Sequence, residues 1–189
     1  MTNKEIVKIS KFLSLVLRHK PETIGIDMSD DGWVKVDDLI KKFNDHASNS
    51  TKLNTITKEI LDEVVATNNK KRFAYSEDVL KIRASQGHSI DVDLKLEPCP
   101  PPEFLFHGTA TIYLNLIFKT GGLNGMKRQH VHLSDNKDTA INVGSRHGKV
   151  IVLEIKSGEM KRDGFDFFLS ENGVWLVDRV PVRYINIIE

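Results

Sequence analysis

The sequence predicts an α+β protein made of two lobes, and two observations lead to this expectation. Four of the five residues from position 98 to 102 are proline, near the middle of the 189-residue chain, and such a segment interrupts helices and central strands. Helical spacing of apolar residues prevails before it, and short β-rich runs prevail after it. We therefore expect a helix-rich lobe over residues 1–96, a stiff extended linker over residues 97–103 and a strand-rich lobe over residues 104–189.

The N-terminal lobe has the element order of a winged helix, with helices followed by a β-hairpin. Its first helix carries apolar residues at helical spacing and ends soon after His19, because Pro21 cannot continue it. Asp31–Gly32 predicts a turn, and Asp37 is placed to cap a second helix. The other expected elements are a strand at Trp33–Val36, a third helix from Thr57, and strands Arg72–Tyr75 and Val79–Arg83 joined by a turn at Ser76–Asp78.

The C-terminal lobe is expected to be an antiparallel, sandwich-like arrangement with helices at its edge. Strands are predicted at Phe104–His107, Val131–Leu133, Val150–Ile155, Val174–Val177 and Tyr184–Ile188. Helices are predicted at Thr111–Lys119, which Gly121–Gly122 would end with positive backbone dihedrals, and at Lys137–Val143. His107–Thr109 then forms a strand-to-helix turn, in which Thr109 or Thr111 caps the helix.

The overall composition is that of an ordinary globular protein and excludes several classes. A formal net charge of +1 means that any affinity for nucleic acid must come from a local patch. The single cysteine, Cys99, excludes an internal disulfide and argues against a zinc cage. No apolar stretch approaches the roughly 18 residues of a membrane helix, and the N-terminus is too polar for a signal peptide. We expect a cytoplasmic protein without a membrane partner, and nothing in the sequence indicates more than a monomer.

Three basic clusters in this nearly neutral chain suggest a phosphate pocket gathered from distant segments. Arg18 and His19 end the first helix. Arg72 precedes a strand, and Arg128 lies in a third basic run. Arginine binds phosphate through a planar fork of donors and stays protonated at working pH. Each cluster also has an ordinary explanation, because basic residues stabilise the carbonyls at helix ends and charge runs often form solvated loops.

Histidines and glycines of the second half form further motifs. His130 and His132 would share one face of a strand, a spacing compatible with a metal ion. We see no carboxylate or cysteine partner that would complete such a site, so we expect no metal. Gly144–Gly148 either cradles phosphate through backbone amides or forms a flexible turn. The chain has neither the Walker nor the Rossmann glycine pattern, which excludes the ordinary nucleotide-binding loops.

Six stretches, in order along the chain, resemble the RNA 2′-phosphotransferase (tRNA 2′-phosphotransferase) family. They are Ser10–Pro21, Lys70–Phe73, Ile82–Ser89, His107–Thr109, His130–Ser134 and Glu171–Leu176. One stretch alone would say little, but six in the family order span almost the whole chain. The resemblance implies an N-terminal winged-helix-like lobe that binds RNA and a C-terminal lobe of the ADP-ribosyltransferase type that binds NAD.

The resemblance also implies a reaction and the residues that perform it. The family removes the internal 2′-phosphate that tRNA splicing leaves in RNA, and transfers it to NAD in two steps. The products are 2′-hydroxyl RNA, nicotinamide and ADP-ribose 1″,2″-cyclic phosphate. The implied catalytic residues are Arg18, His19, Arg72 and Arg128. The implied NAD-binding residues are His107, Gly108, Thr109, His132, Ser134, Arg146 and His147.

Some details of this assignment follow from the chemistry of the residues. Gly108 would let the dinucleotide approach the backbone. Arg72 is preferred to Arg83, which lies in a strand just before Gln86. No metal is implied, because the arginines replace the usual magnesium.

Two rival functions stay open at this point. An ADP-ribosyltransferase acting on nucleic-acid phosphate ends or on protein would use the same NAD cleft, and Glu171 is the nearest candidate for its glutamate. A winged-helix regulator that senses NAD or ADP-ribose would bind without turnover. The identity of the products separates the enzymes, and turnover itself separates both from the regulator.

Overall fold

The computed structural model describes residues 1–49 and 53–188, apart from the side chain of His147. The chain divides into two compact units, Met1–Lys95 and Leu96–Glu189. Each unit combines helices with small sheets, and the strand pairings among the described residues are antiparallel. The predicted α+β class is therefore confirmed, while the winged-helix and ADP-ribosyltransferase assignments stay predictions.

The first unit has three α-helices among its described residues. Helix α1 (Asn3–Arg18) begins at a capping box made by Thr2 and Glu5, and His19 is its C-terminal cap. Strand β1 (Val34–Lys35) leads into α2 (Val36–Ser48), and α3 (Lys58–Ala66) is capped by the side chain of Thr57. The helices bury an apolar core that includes Leu13, Leu17, Leu39, Phe43 and Leu61.

The prediction that Asp37 caps α2 is wrong. Lys35 occupies the N-cap position, no side chain caps this helix, and Asp37 lies within its first turn. The reason is the strand before it: the amide of Val36 donates to the carbonyl of Leu80 at 2.9 Å, so the helix begins directly from the sheet. One of the amides left open at a helix start is thereby satisfied without a side chain.

The predicted hairpin is present and completes a three-stranded sheet. Strand β2 (Phe73–Tyr75) pairs with β3 (Lys81–Ala84), and β1 pairs with the other edge of β3. The turn is longer than Ser76–Asp78, because Val79 has a φ of 59° and cannot continue a strand. The hairpin places Arg72 directly before β2, on the chain that returns from α3.

The second unit is built from eight short strands and three helices among its described residues. They are β4 (Leu105–Ala110), α4 (Leu114–Lys119), β5 (Gly122–Asn124), β6 (Val131–Leu133), α5 (Lys137–Gly144), β7 (Val150–Ile155), α6 (Ser157–Arg162), β8 (Phe168–Leu169), β9 (Trp175–Val177), β10 (Arg179–Pro181) and β11 (Ile185–Ile187). The sheets have the orders β11-β7-β4, β6-β9-β8 and β10-β5. Reciprocal backbone bonds between Phe106 and Ser134, at 2.7 and 2.9 Å, join β4 to the end of β6.

The prediction of a strand-to-helix turn at His107–Thr109 is wrong. Strand β4 continues to Ala110, because its six residues pair with the whole of β7. A 3₁₀ turn at Thr111–Tyr113 then leads into α4, and no side chain caps that turn. The expected end of α4 is confirmed, since Gly121 and Gly122 have φ values of 84° and 134°.

The proline-rich segment is hydrogen-bonded to the second unit. The amide of Cys99 donates to the carbonyl of Phe167 at 2.8 Å, and the hydroxyl of Ser157 donates to the carbonyl of Pro102 at 2.7 Å. Residues 97–103 belong to the compact unit Leu96–Glu189, and their role as a stiff linker stays a prediction. Across the part of the chain that the structure describes, no helix has the length and apolar character needed to cross a membrane.

Candidate active site

Arg18 and His19 occupy the end of α1, where the helix meets the segment that follows β3. The carbonyl of Arg18 accepts a bond of 2.9 Å from the amide of Ser89. Nδ1 of His19 lies 2.9 Å from the hydroxyl oxygen of Ser89. The Arg18 side chain is only 9% exposed, and its Nη2 donates to the carbonyl of Arg72 at 3.2 Å. Arg18 is therefore more than an exposed cation at a helix end, because its guanidinium is bonded across to the second basic cluster.

Arg72 is held by a buried amide. Oδ1 of Asn68 accepts both the backbone amide of Arg72, at 3.3 Å, and its Nη1, at 3.2 Å. Nδ2 of Asn68 donates in turn to the hydroxyl of Ser10 on α1, at 2.8 Å. Because Asn68 is 9% exposed, these bonds satisfy an amide that would be costly to bury alone. The first unit thus brings together Arg18, His19 and Arg72 in one hydrogen-bonded cluster.

Arg83 has a different environment from Arg72. Its guanidinium carbon lies 4.4 Å from the centre of the Trp33 ring, and its Nη1 faces the carbonyls of Asp31 and Leu94 at 3.5 and 3.4 Å. The guanidinium stacks on the indole and faces two carbonyls, so it holds β3 to the segments that contain Asp31 and Leu94. Arg83 contributes to the positive field that reaches His88.

His88 is buried beside this cluster and stays neutral near pH 7. Its ring is 2% exposed, and its Nε2 has no hydrogen-bond partner among the described residues. Burial, followed by the charges of Arg18, His19 and Arg83, lowers the pKa of His88 to about 4. A neutral imidazole avoids adding a further buried positive charge beside the arginines.

The second unit carries another hydrogen-bonded set around His132. Nη1 of Arg128 lies 2.7 Å from Nδ1 of His132, and Nδ1 of His107 lies 3.0 Å from the backbone carbonyl of His132. Burial lowers the pKa of His107, and a smaller opposing effect comes from its bond to that carbonyl. Since a carbonyl only accepts, Nδ1 of His107 carries the hydrogen and Nε2 is the bare nitrogen of the neutral ring. Desolvation lowers the pKa of Arg128, although guanidinium stays charged at working pH.

Gly108 is required by packing within the second unit. A Cβ at this position would lie 1.7 Å from the carbonyl oxygen of Ala140 and 3.0 Å from the amide nitrogen of Gly144. Strand β4 and helix α5 therefore touch backbone to backbone, and Gly144 packs closely on the Thr109 amide from the other side. This contact accounts for the glycine without a bound dinucleotide, and the approach of NAD to Gly108 stays a prediction.

The remaining predicted NAD-binding residues surround α5. The hydroxyl of Ser134 accepts the amide of Asn136 at 3.1 Å, and Asn136 caps α5 through the amide of Thr139. Thr109 is buried in β4, and exposed Arg146 lies in a 3₁₀ turn that directly follows α5. His147 belongs to the same turn, and its side chain lies outside the described residues. Gly148 has a φ of 131°, so the segment after α5 is a glycine-dependent turn.

His130 and His132 have different neighbours. Nε2 of His130 lies 3.5 Å from Oδ1 of Asp178, and the His130 ring packs edge-on against Phe168, whereas His132 faces Arg128. Among the described residues, no group of three or more histidine, cysteine or acidic side chains is arranged to hold a metal ion. Glu171 is exposed in the turn between β8 and β9.

Two residues of the first cluster give no separate signal in the sequence. Asn68 stands two residues before the basic run and looks like an ordinary loop residue, and Ser89 only ends a longer matching stretch. Their contacts with Ser10 and His19 depend on folding, because they join residues 58 and 70 positions apart. A side-chain amide after a helix is too common for spacing alone to distinguish it.

Comparison with known proteins assigns these residues to a family. The family model of the RNA 2′-phosphotransferase, Tpt1 / KptA family matches residues 4–179. A probable RNA 2′-phosphotransferase of Flavobacterium johnsoniae is 54% identical over 97% of both chains. A protein with the same description from Acaryochloris marina is 50% identical over 96% of this chain and 97% of its own length. Another from Rhodopirellula baltica is 50% identical over 97% of this chain and 96% of its own length. The chain therefore belongs to the RNA 2′-phosphotransferase, Tpt1 / KptA family.

Proposed function

We propose that this protein removes an internal 2′-phosphate from RNA by transferring it to the ADP-ribose part of NAD. Family membership supports the transfer of a 2′-phosphate from RNA. The observation that carries the proposal is the cluster of Arg18, His19 and Arg72, in which the Arg18 guanidinium bonds to the backbone carbonyl of Arg72 and His19 is bonded through Ser89. Two guanidiniums and an imidazole suit a phosphate dianion. In this proposal NAD is consumed as a substrate, and the products are 2′-hydroxyl RNA, nicotinamide and ADP-ribose 1″,2″-cyclic phosphate.

The first step makes use of a nucleophile that is already charged. A 2′-phosphate oxygen forms a bond to C1″ of the ribose, and the glycosidic bond breaks with its electron pair moving to nicotinamide, which leaves as a neutral molecule. No general base is needed, because the phosphate is an anion at neutral pH. Arg18 and Arg72 have the task of holding that anion in line with the bond that breaks.

The second step releases the RNA. The ribose 2″-oxygen bonds to phosphorus, and the bond from phosphorus to the RNA 2′-oxygen breaks. The proton of the 2″-hydroxyl is balanced by the proton that the RNA 2′-oxygen takes up. Charge gathers around phosphorus at this stage, so the fixed donors of Arg18, Arg72 and Arg128 matter most here. His19 either donates the proton to the leaving 2′-oxygen or binds the phosphate.

The second unit supplies groups whose chemistry fits the dinucleotide. Arg128 and Arg146 suit the anionic pyrophosphate or the transferred phosphate. His107, Thr109, His132 and Ser134 offer ring nitrogens and hydroxyls for ribose, and the bond from His107 to the His132 carbonyl fixes the orientation of one ring. In this proposal the second unit is the ADP-ribosyltransferase-like lobe, and the first unit is the winged-helix-like lobe that binds RNA. The protein is proposed to be a cytoplasmic monomer that acts on RNA of the tRNA splice-junction type.

The test uses a short RNA with one internal 2′-phosphate, incubated with NAD and EDTA. We expect loss of the 2′-phosphate and appearance of ADP-ribose 1″,2″-cyclic phosphate, and no loss without NAD. Arg18→Ala should slow the reaction by at least about 100-fold. Lys4→Ala is the matched control, since Lys4 is an exposed cation on the same helix, about 21 Å away at a rise of 1.5 Å per residue. Nicotinamide release with ADP-ribose left on an acceptor would instead indicate an ADP-ribosyltransferase, and binding without turnover would indicate a regulator.

A further inference from the structure

The stretch from Gln86 to Ser89 has no role in the reaction steps described above, although it touches the end of α1 at two points. The backbone amide of Ser89 donates to the carbonyl of Arg18 at 2.9 Å. The hydroxyl of the same serine lies 2.9 Å from Nδ1 of His19. One residue thus contacts both members of the Arg18–His19 pair, once through its backbone and once through its side chain.

The residues just before Ser89 are mostly buried and hydrogen-bonded. His88, the residue before it, is 2% exposed. Ser85 makes two bonds: its amide donates to the carbonyl of Arg72 at 2.9 Å, and its hydroxyl donates to the carbonyl of Lys71 at 2.8 Å. These contacts lead the chain to Ser89, whose own amide bond to the Arg18 carbonyl holds its backbone against α1. The Ser89 side chain itself is exposed, and its hydroxyl adds nothing to the apolar core.

His19 lies at a helix end, where the orientation of its ring depends on its neighbours. It is the C-terminal cap of α1, with a φ of −131°, and it is only half-buried. An imidazole at a helix end turns about its first two side-chain bonds unless a neighbour selects one orientation. A hydrogen bond at Nδ1 selects the ring orientation and determines which nitrogen is left for other partners.

We propose that Ser89 is a positioning residue that orients the imidazole of His19 for its work on the RNA 2′-phosphate. The proposal rests on the proposed function for its kinetic consequence, but the orientation itself is a property of the protein alone. Ser89 acts through His19 and does not contact the phosphate. A displacement of a reacting group by about 1 Å costs as much as 100-fold in rate, so loss of the hydroxyl should be visible in turnover.

The kinetic experiment compares Ser89→Ala, Ser89→Thr and the wild-type protein on the 2′-phosphorylated RNA. We expect Ser89→Ala to lower kcat by about 10- to 100-fold with the KM for RNA nearly unchanged, because the bond places a group and does not bind substrate. ADP-ribosylated RNA should accumulate, as expected when His19 fails in the second step. Ser89→Thr keeps the hydroxyl and should recover most of the rate.

The matched control is Ser48→Ala in the same unit. Ser48 is also an exposed serine, and its hydroxyl donates to the carbonyl of Asn44 on its own helix, α2, at 2.9 Å. This substitution removes a hydroxyl and one exposed hydrogen bond, as Ser89→Ala does, but leaves the bond to His19 in place. Ser48→Ala should therefore turn over the RNA like wild type, and an equal loss of kcat in both alanine variants would overturn the positioning role.

A second measurement separates failure of this inference from failure of the proposed function. NMR relaxation of the His19 ring carbons needs neither NAD nor RNA, and we expect an ordered ring in wild type and Ser89→Thr but a mobile ring in Ser89→Ala. The same ring mobility in all three proteins would overturn the inference, whatever the enzyme does. An ordered ring that loosens in Ser89→Ala would support the inference even if no 2′-phosphate were removed. Equal kcat in Ser89→Ala and wild type would overturn the kinetic part.

Discussion

Replacing Gly108 by alanine tests whether this glycine serves packing or NAD binding. Gly108 is not among the glycines with positive φ in the described chain, so alanine suits its backbone and only the space around it matters. The new methyl carbon would lie 1.7 Å from the Ala140 oxygen and 2.5 Å from the Ala140 carbonyl carbon, where contacts of about 3.5 Å are normal. Helix α5 would have to retreat by nearly 2 Å at this point. Overpacking of this kind costs about 1–3 kcal/mol or more, and a backbone obstacle favours the upper end.

The assay is thermal unfolding of the unliganded protein. A loss of about 3 kcal/mol lowers the Tm of a unit the size of Leu96–Glu189 by about 12–24 °C. Gly164→Ala is the matched control in the same unit, because a Cβ there meets open space and only its φ of 92° is unfavourable, at about 1–2 kcal/mol. Gly108→Ala should therefore be clearly the less stable of the two. An unchanged Tm together with lost activity would refute the packing argument and indicate that the dinucleotide approaches Gly108 closely.

Three further predictions concern the two clusters. Asn68→Ala removes the acceptor that holds Arg72, so we expect the free energy of unfolding in urea to fall by about 1–3 kcal/mol and kcat to fall as well. An unaltered kcat would mean that Arg72 keeps its orientation without Asn68. The pKa of His88 is about 4 in the folded protein and 6.5 in the unfolded chain, so between these pH values the unfolded chain binds more protons. The free energy of unfolding should therefore fall as the pH drops from 6.5 to 4, by up to about 3 kcal/mol. The difference in unfolding free energy between pH 7 and pH 5 should shrink in His88→Gln, and an equal difference would contradict the assignment. Arg128→Lys keeps the charge but loses the planar fork of donors, so rapid-quench sampling should show ADP-ribosylated RNA building up. Conversion of the RNA to final products at the wild-type rate, with no such build-up, would contradict a role for Arg128 in the second step.

Local signals in the sequence predicted most helices and the longer strands. Helix α3 begins directly after Thr57, Pro21 follows the end of α1, and the run Val150–Ile155 is a strand over its whole length. These features depend on neighbours within a few residues, which a sequence displays directly. The errors arise where distant segments decide the outcome. Val36 begins its helix early because Leu80 satisfies its amide, and β4 runs past His107 because β7 is there to pair with it.

The candidate site divides in the same way. Arginine and histidine are conspicuous in a nearly neutral chain, so Arg18, His19 and Arg128 stood out from their type and their order. Asn68 and Ser89 did not, because an amide and a hydroxyl become significant only when the fold sets them against Arg72 and His19. The close contact of β4 with α5 likewise could not be read from a glycine alone.

The most direct test of the central claim follows one radiolabelled internal 2′-phosphate through the reaction with NAD and EDTA. The account predicts that the label leaves the RNA only when NAD is present and appears in ADP-ribose 1″,2″-cyclic phosphate. In Arg18→Ala and His19→Ala the label should instead collect in ADP-ribosylated RNA. Label released as inorganic phosphate without NAD, or label that stays on unmodified RNA while nicotinamide is released, would contradict the account.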